Sequence, residues 1–225
     1  MRRVLLFGDS IGRGVVYNEE RKRYCLAADR CTKLLSARGI PVDDHSRMGA
    51  TIQDGYRELM ETQLLPEDVA VIEFGGNDCD MDWAAIAQQP EAEHEPRVPL
   101  EDFRRLLRQC LDSIRRCGAT PVAVIPPPLM PDRYFRWVSR DQDAEAILRY
   151  LGDEGRIYRW QELYADAVRD TAEAADCRLL DVRRLLLQRR DLPGLMCLDG
   201  IHPNNAGHSY LSGQILQQYG PQLAC

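Results

Sequence analysis

The apolar residues of this chain fall into short dense runs that alternate with longer stripes recurring every three or four residues. That alternation predicts an α/β domain with a parallel sheet between helical layers. Arg3 to Phe7 reads as a first strand. Tyr24, Ala27, Ala28, Cys31, Leu34 and Leu35 then share one stripe, which predicts a helix from about 20 to 38 that ends at Gly39. Ile40 to Asp43 reads as a second strand, residues 51 to 63 as a helix, and Val69 to Phe74 as a third strand. This third run is apolar except for Glu73, as suits a strand covered on both faces. The clearest helical stripe runs from Leu100 to Cys117 and is closed by Gly118. Pro121 to Ile125 predicts a fourth strand leading into Pro126-Pro127-Pro128, which no helix or central strand continues through. Arg178 to Val182 is the fifth strand, and a last helix follows Pro203 to about Gln218.

Two longer connections interrupt this order. Residues 80 to 99 read as an acidic, proline-containing loop. Residues 129 to 160 carry Tyr134, Phe135, Trp137, Tyr150, Tyr158 and Trp160, rings expected to pack rather than to form a sugar platform. This segment is expected either to lid a pocket or to form a dimer contact, which leaves a homo-oligomer open. No repeat, low-complexity tract or linker divides the chain, so residues 1–225 are expected to form one domain.

Composition narrows the class. With 44% hydrophobic and 28% charged residues, 225 residues can bury a core without disulfides or metal. A net charge of −6 and a pI near 5.3, with Lys and Arg interleaved among acids, argue against a nucleic-acid groove, which needs a concentrated basic face. No run approaches the roughly 18 apolar residues of a membrane span. Val4 to Phe7 is too short for a signal-peptide core, so a cytoplasmic location is expected. There the eight cysteines, none in CxxC spacing, read as thiols, mostly small core residues such as Cys110 and Cys117. Glu91, Glu93, His94 and Glu95 lack the spacing of metal ligands and read as a solvated stretch.

Chemistry gathers at predicted strand ends, where an open parallel sheet places its ligands. Gly8-Asp9-Ser10-Ile11-Gly12 follows the first strand, Gly75-Gly76-Asn77-Asp78 the third, and Asp199-Gly200-Ile201-His202-Pro203 lies beyond the fifth. A serine hydroxyl becomes a nucleophile at neutral pH when an imidazole takes its proton and a carboxylate orients that imidazole. His202 and Asp199, three residues apart around a turn, can supply both to Ser10; His45, His94 and His208 stand in less suggestive surroundings. Asn77 is a natural amide donor to an oxyanion, and Gly49, after the second strand, a candidate backbone donor. Asp9 and Asp78 read as turn-holding acceptors.

Taken in order, these blocks resemble those of the SGNH hydrolases, the GDSL-type esterases and lipases, over nearly the whole chain. The resemblance implies a flavodoxin-like three-layer α/β/α sandwich with strand order 2-1-3-4-5. It implies Ser10 as nucleophile, Asp199 and His202 as its partners, and an oxyanion hole of the Ser10 and Gly49 N–H groups with the Asn77 amide. Ile11 stands where the family's name has leucine, without consequence for catalysis. Gly8 to Gly12 also satisfies the G-x-S-x-G elbow of α/β-hydrolases, but that elbow follows several strands and only one precedes Ser10. A dinucleotide reading fails because Gly12-Arg13-Gly14 has no third glycine at position 17. The expected activity is cofactor-free hydrolysis of short acyl esters, acetyl foremost, of small molecules or acetylated carbohydrates. A lysophospholipase, a thioesterase or an O-acyltransferase on the same scaffold are the alternatives.

Overall fold

The structure is a computed structural model that describes residues 3–223; Cys225, one of the eight cysteines, lies outside that range. Its strands are β1 (Val4–Gly8), β2 (Val15–Asn18), β3 (Arg23–Leu26), β4 (Val42–Asp44), β5 (Val69–Glu73), β6 (Thr120–Ile125) and β7 (Arg178–Asp181). Its helices are α1 (Cys31–Ala37), α2 (Ile52–Glu61), α3 (Trp83–Gln88), α4 (Leu100–Arg116), α5 (Pro131–Ser139), α6 (Ala144–Leu151), α7 (Gly155–Ala174), α8 (Val182–Leu187) and α9 (Asn205–Leu223). Five strands pair in parallel in the order β4-β1-β5-β6-β7. Counted over the sheet alone this is the expected order 2-1-3-4-5.

Alternation along the central strands divides the core between the two faces of the sheet. Leu5, Phe7, Ala70, Ile72, Ala123 and Ile125 meet α2, α4 and α7 on one face. Val4, Val69, Val122 and Val124 meet α1, α8 and α9 on the other. The stripe on α4 explains its place: Phe103, Leu107, Cys110, Leu111 and Ile114 are all buried. Each of the large ones contributes about 1.5–3 kcal/mol by leaving water.

Three expectations are corrected. The helix from about 20 to 38 is instead a hairpin, β2–β3, followed by the shorter α1. Its residues pair across the two strands, Val16 with Cys25 and Tyr17 with Tyr24, so a period of two overrides the apparent helical stripe. A lone hairpin is marginal in water; this one is seated by Tyr17, whose N–H reaches Cys197 Sγ at 3.3 Å and whose ring stands 4.9 Å from Trp137 of α5. Residues 80 to 99 are not all loop, because Asp82 accepts the Ala85 N–H at 2.9 Å and caps α3. Cys117 ends its stripe exposed, one residue past α4. Residues 129 to 160 form α5, α6 and the start of α7, and they pack at the carboxyl end of the sheet through their own small core around Phe135, Ile147 and Ile157. Among the described residues no helix is long and apolar enough to cross a membrane.

Candidate active site

Strand β1 delivers Gly8-Asp9-Ser10 into a tight turn held from inside and from below. Asp9 Oδ1 accepts the Ile11 N–H at 2.8 Å, and its Oδ2 accepts from Asn77 Nδ2 at 3.0 Å. From the end of β5, Glu73 Oε2 accepts the N–H groups of Asp9 at 3.2 Å and Gly12 at 3.0 Å. A Cβ at position 12 would lie 2.9 Å from that oxygen, so only glycine allows the carboxyl to come so close. Burial, and then the neighbouring Asp9, push the Glu73 carboxyl well above the usual carboxylate range, which favours its protonated form. Its Oε1 is buried without a partner, and the residue lines an apolar cavity of about 130 Å³ between the sheet and helices α1 and α9.

Opposite Glu73 lies the Asp199–His202 turn. Asp199 Oδ1 accepts the N–H groups of Ile201 at 3.1 Å and His202 at 3.2 Å; its Oδ2 accepts from His202 Nδ1 at 2.7 Å and the Tyr24 hydroxyl at 3.1 Å. His202 Nε2 lies 2.8 Å from Ser10 Oγ. With Asp199 accepting the hydrogen bond from Nδ1–H, Nε2 is left as the acceptor for the serine hydroxyl. Ser10, His202 and Asp199 are 5%, 3% and 0% exposed, so this line of hydrogen bonds is almost dry. Burial pushes the Asp199 carboxyl up, but the His202 hydrogen bond and charge outweigh it and hold it below the usual range. Helix α5 fixes the turn from outside: the Met130 N–H donates to Gly200 O at 2.7 Å, and Arg133 Nη1 donates to Met196 O at 3.1 Å.

Of the expected oxyanion donors, Ser10 and Asn77 line one cleft, and Gly49 stands in a neighbouring turn. Gly49 adopts a φ of +75° in the turn before α2, the left-handed region that favours glycine. Neither its N–H nor that of Ser10 finds an acceptor among the described residues. Asn77 has both amide hydrogens engaged, one on Asp9 Oδ2 at 3.0 Å and one on Ala50 O at 3.1 Å. It ties the nucleophile turn to the Gly49-Ala50 turn. Asp78 makes a similar tie, accepting the N–H groups of Ile52 at 2.8 Å and Gly75 at 2.9 Å, and burial pushes its carboxyl up to about 7.

Beside Ser10 and Asn77 a narrow cleft of about 50 Å³ is walled by Met81, Trp83, Leu129, Tyr134, Ile157 and Trp160. The half-buried Asp80 clamps two of these walls, accepting from Tyr134 Oη at 2.6 Å and Trp83 Nε1 at 2.8 Å. Past Trp83 and Tyr134 the cleft widens into an open depression of about 340 Å³ that also involves Trp137, Arg140 and Gln142. The other histidines lie apart. His45 bonds Glu58 at 3.0 Å, His94 the Gln89 carbonyl at 2.9 Å, and His208 the Val15 carbonyl at 3.2 Å, with burial lowering His208 to about 4. Sequence reasoning passed over Tyr24, Glu73 and Asp80 as members of the site. Glu73 carried a signal, the lone acid in an apolar strand, whereas Tyr24 was counted on a helical stripe that does not form.

The family model described as GDSL-like Lipase/Acylhydrolase matches residues 6–210. Among solved structures, the lipase/acylhydrolase from Enterococcus faecalis superposes with a TM-score of 0.68 at 19% identity, covering 99% of this chain and 97% of that one. A member of the lipolytic protein G-D-S-L family from Veillonella parvula superposes with a TM-score of 0.65 at 12% identity, covering 98% and 99%. The acetyl xylan esterase AlAXEase does so at 0.62 and 19% identity, covering 96% and 98%. At these identities the likeness is one of fold. No curated protein matches the sequence significantly.

Proposed function

This chain belongs to the GDSL-like Lipase/Acylhydrolase family, whose members hydrolyse carboxylic esters, and from that premise we propose a serine esterase that removes short acyl groups, acetyl foremost, from small molecules or acetylated carbohydrates. The observation that carries the reading is the dry line Ser10 Oγ, His202, Asp199, at 2.8 and 2.7 Å, opening on a cleft too small for a long chain. In the first step Ser10 Oγ bonds to the ester carbonyl carbon while its proton passes to His202 Nε2. The carbonyl oxygen, now negative, lies against the N–H groups of Ser10 and Gly49, and Asn77 turns one amide hydrogen from Ala50 O toward it. The ester C–O bond then breaks, His202 returns the proton to the departing alkoxide, and an acyl group remains on Ser10. Water repeats the sequence and releases the acid. The acyl group occupies the cleft under Trp83 and Leu129, where added methylenes meet the Asp80-clamped walls. The alcohol part faces the wider depression, whose rings and polar rim suit a hydroxyl-rich group.

The test is an acyl-length panel of aryl esters beside acetylated oligosaccharides, with Ser10→Ala as control. Acetyl to butyryl esters are expected to lead, with kcat/KM at least about tenfold lower by octanoyl. Turnover that rises with chain length would sink the short-acyl reading. Turnover that persists in Ser10→Ala would sink the mechanism.

A further inference from the structure

We propose that Tyr24 is a positioning residue for the base: its hydroxyl shares Asp199 Oδ2 with His202 Nδ1 and thereby keeps His202 a free base to lower pH than Asp199 alone would allow. The inference rests on the reading of Ser10, His202 and Asp199 as nucleophile, base and orienting acid.

Tyr24 stands on β3, in the hairpin that follows the nucleophile turn, and reaches the site through a braced path. Its ring lies 5.3 Å from that of Tyr17, its partner across the hairpin, and Tyr17 lies 4.9 Å from Trp137 on α5. On its other side the Tyr24 ring is 5.3 Å from the His202 ring. This places the hydroxyl 3.1 Å from the oxygen that His202 Nδ1 contacts at 2.7 Å. Burial, followed by the charge of Asp199, raises the pKa of the Tyr24 hydroxyl, so it remains a donor across any pH at which activity is measured.

The consequence follows from electrostatics. A carboxylate oxygen that accepts a second hydrogen bond concentrates less negative charge on the first. Asp199 therefore stabilises the imidazolium of His202 less with Tyr24 present than without it. Other ionisable groups face this centre: Asp9 across the nucleophile turn, His208 from α9, Cys197 on the same loop and Arg140 just past α5. None of these four has a hydrogen bond to Asp199 among the described residues. Tyr24→Phe removes one oxygen and keeps the ring contacts, so it isolates the hydroxyl.

The experiment measures kcat/KM for an aryl acetate against pH in the wild type, Tyr24→Phe and Tyr17→Phe, the last keeping the brace and touching no catalytic group. In Tyr24→Phe the acid limb, which reports protonation of the base in the free enzyme, is expected to move up by about half a pH unit. In Tyr17→Phe it is expected to stay. An acid limb in Tyr24→Phe that is unmoved or moves down, while the wild type has one and Ser10→Ala is inactive, overturns the proposal and leaves the esterase reading intact. A wild type without an acid limb, or an active Ser10→Ala, overturns both. A purely structural role for Tyr24 would lower kcat or stability without moving the limb.

Discussion

On one side of Ser10, Asp199 is 0% exposed and receives four hydrogen bonds, two on each oxygen; on the other, Glu73 is 3% exposed and receives two, both on Oε2. Burial is nearly the same, and the two carboxyl groups are displaced in opposite directions, Asp199 down and Glu73 up. Removing a carboxylate from water costs several kcal/mol, and a hydrogen bond to a charged group returns about 1.5–3 kcal/mol. Four donors, one on a ring that can itself become charged, outweigh the cost at Asp199. Two amides beside the acidic Asp9 do not outweigh it at Glu73. We therefore read Asp199 as the charged partner of His202, and Glu73 as a neutral support that fixes the turn without adding charge beneath the nucleophile.

The sharpest way to break this contrast is to make both acids amides. Asp199→Asn is expected to lower kcat by about 10⁴-fold, because the amide no longer holds the ring with its proton on Nδ1. Glu73→Gln is expected to stay within about threefold of wild type, since the amide oxygen still accepts two N–H groups. Comparable losses in the two variants, measured on one aryl acetate, would remove the distinction. Next in size is Glu73→Ala, which strands the N–H groups of Asp9 and Gly12. Urea unfolding is expected to show a loss of about 1–3 kcal/mol, with kcat falling alongside; full stability would mean that water replaces the carboxyl without cost.

A buried base extends the same rule. His208 titrates at about 4 in the fold against an ordinary 6.5, so the unfolded chain takes up its proton first as pH falls. Stability is present above 6.5 and lost as pH drops toward 4, by up to about 3 kcal/mol. His208→Gln is expected to flatten that slope in melts from pH 7 to pH 4. The smallest effect is at Glu73. A raised carboxyl pKa favours the fold below the ordinary glutamate value and loses that contribution as pH rises. The melting temperature of Glu73→Gln relative to wild type is therefore expected to climb from about pH 5 upward.

Much of the fold was legible because its signals are local. Apolar runs marked β1, β5 and β6, a stripe of 3.6 period marked α4, and Gly8 to Gly12 and Gly75 to Asp78 stood at strand ends where a parallel sheet exposes them. The hairpin was not legible, because Tyr24 and Ala27 fit a helical stripe as well as a strand. What decided between them was contact with Cys197 and Trp137, more than a hundred residues away in sequence.

The sequence by itself determined the alternation of strands and helices and the residue types of the site: a serine, an Asp-x-x-His pair, an amide and the glycines that let the chain turn. Those follow from side-chain chemistry and from periodicities that neighbouring residues set together. Tertiary structure alone decided that Ser10 and His202 meet at 2.8 Å across 192 residues, that Tyr24 shares the oxygen of Asp199, and that the Glu73 carboxyl, raised above its ordinary range, lies under the turn. Proton position and hydrogen-bond sharing depend on which groups burial brings within about 3 Å of one another, and no local pattern encodes that.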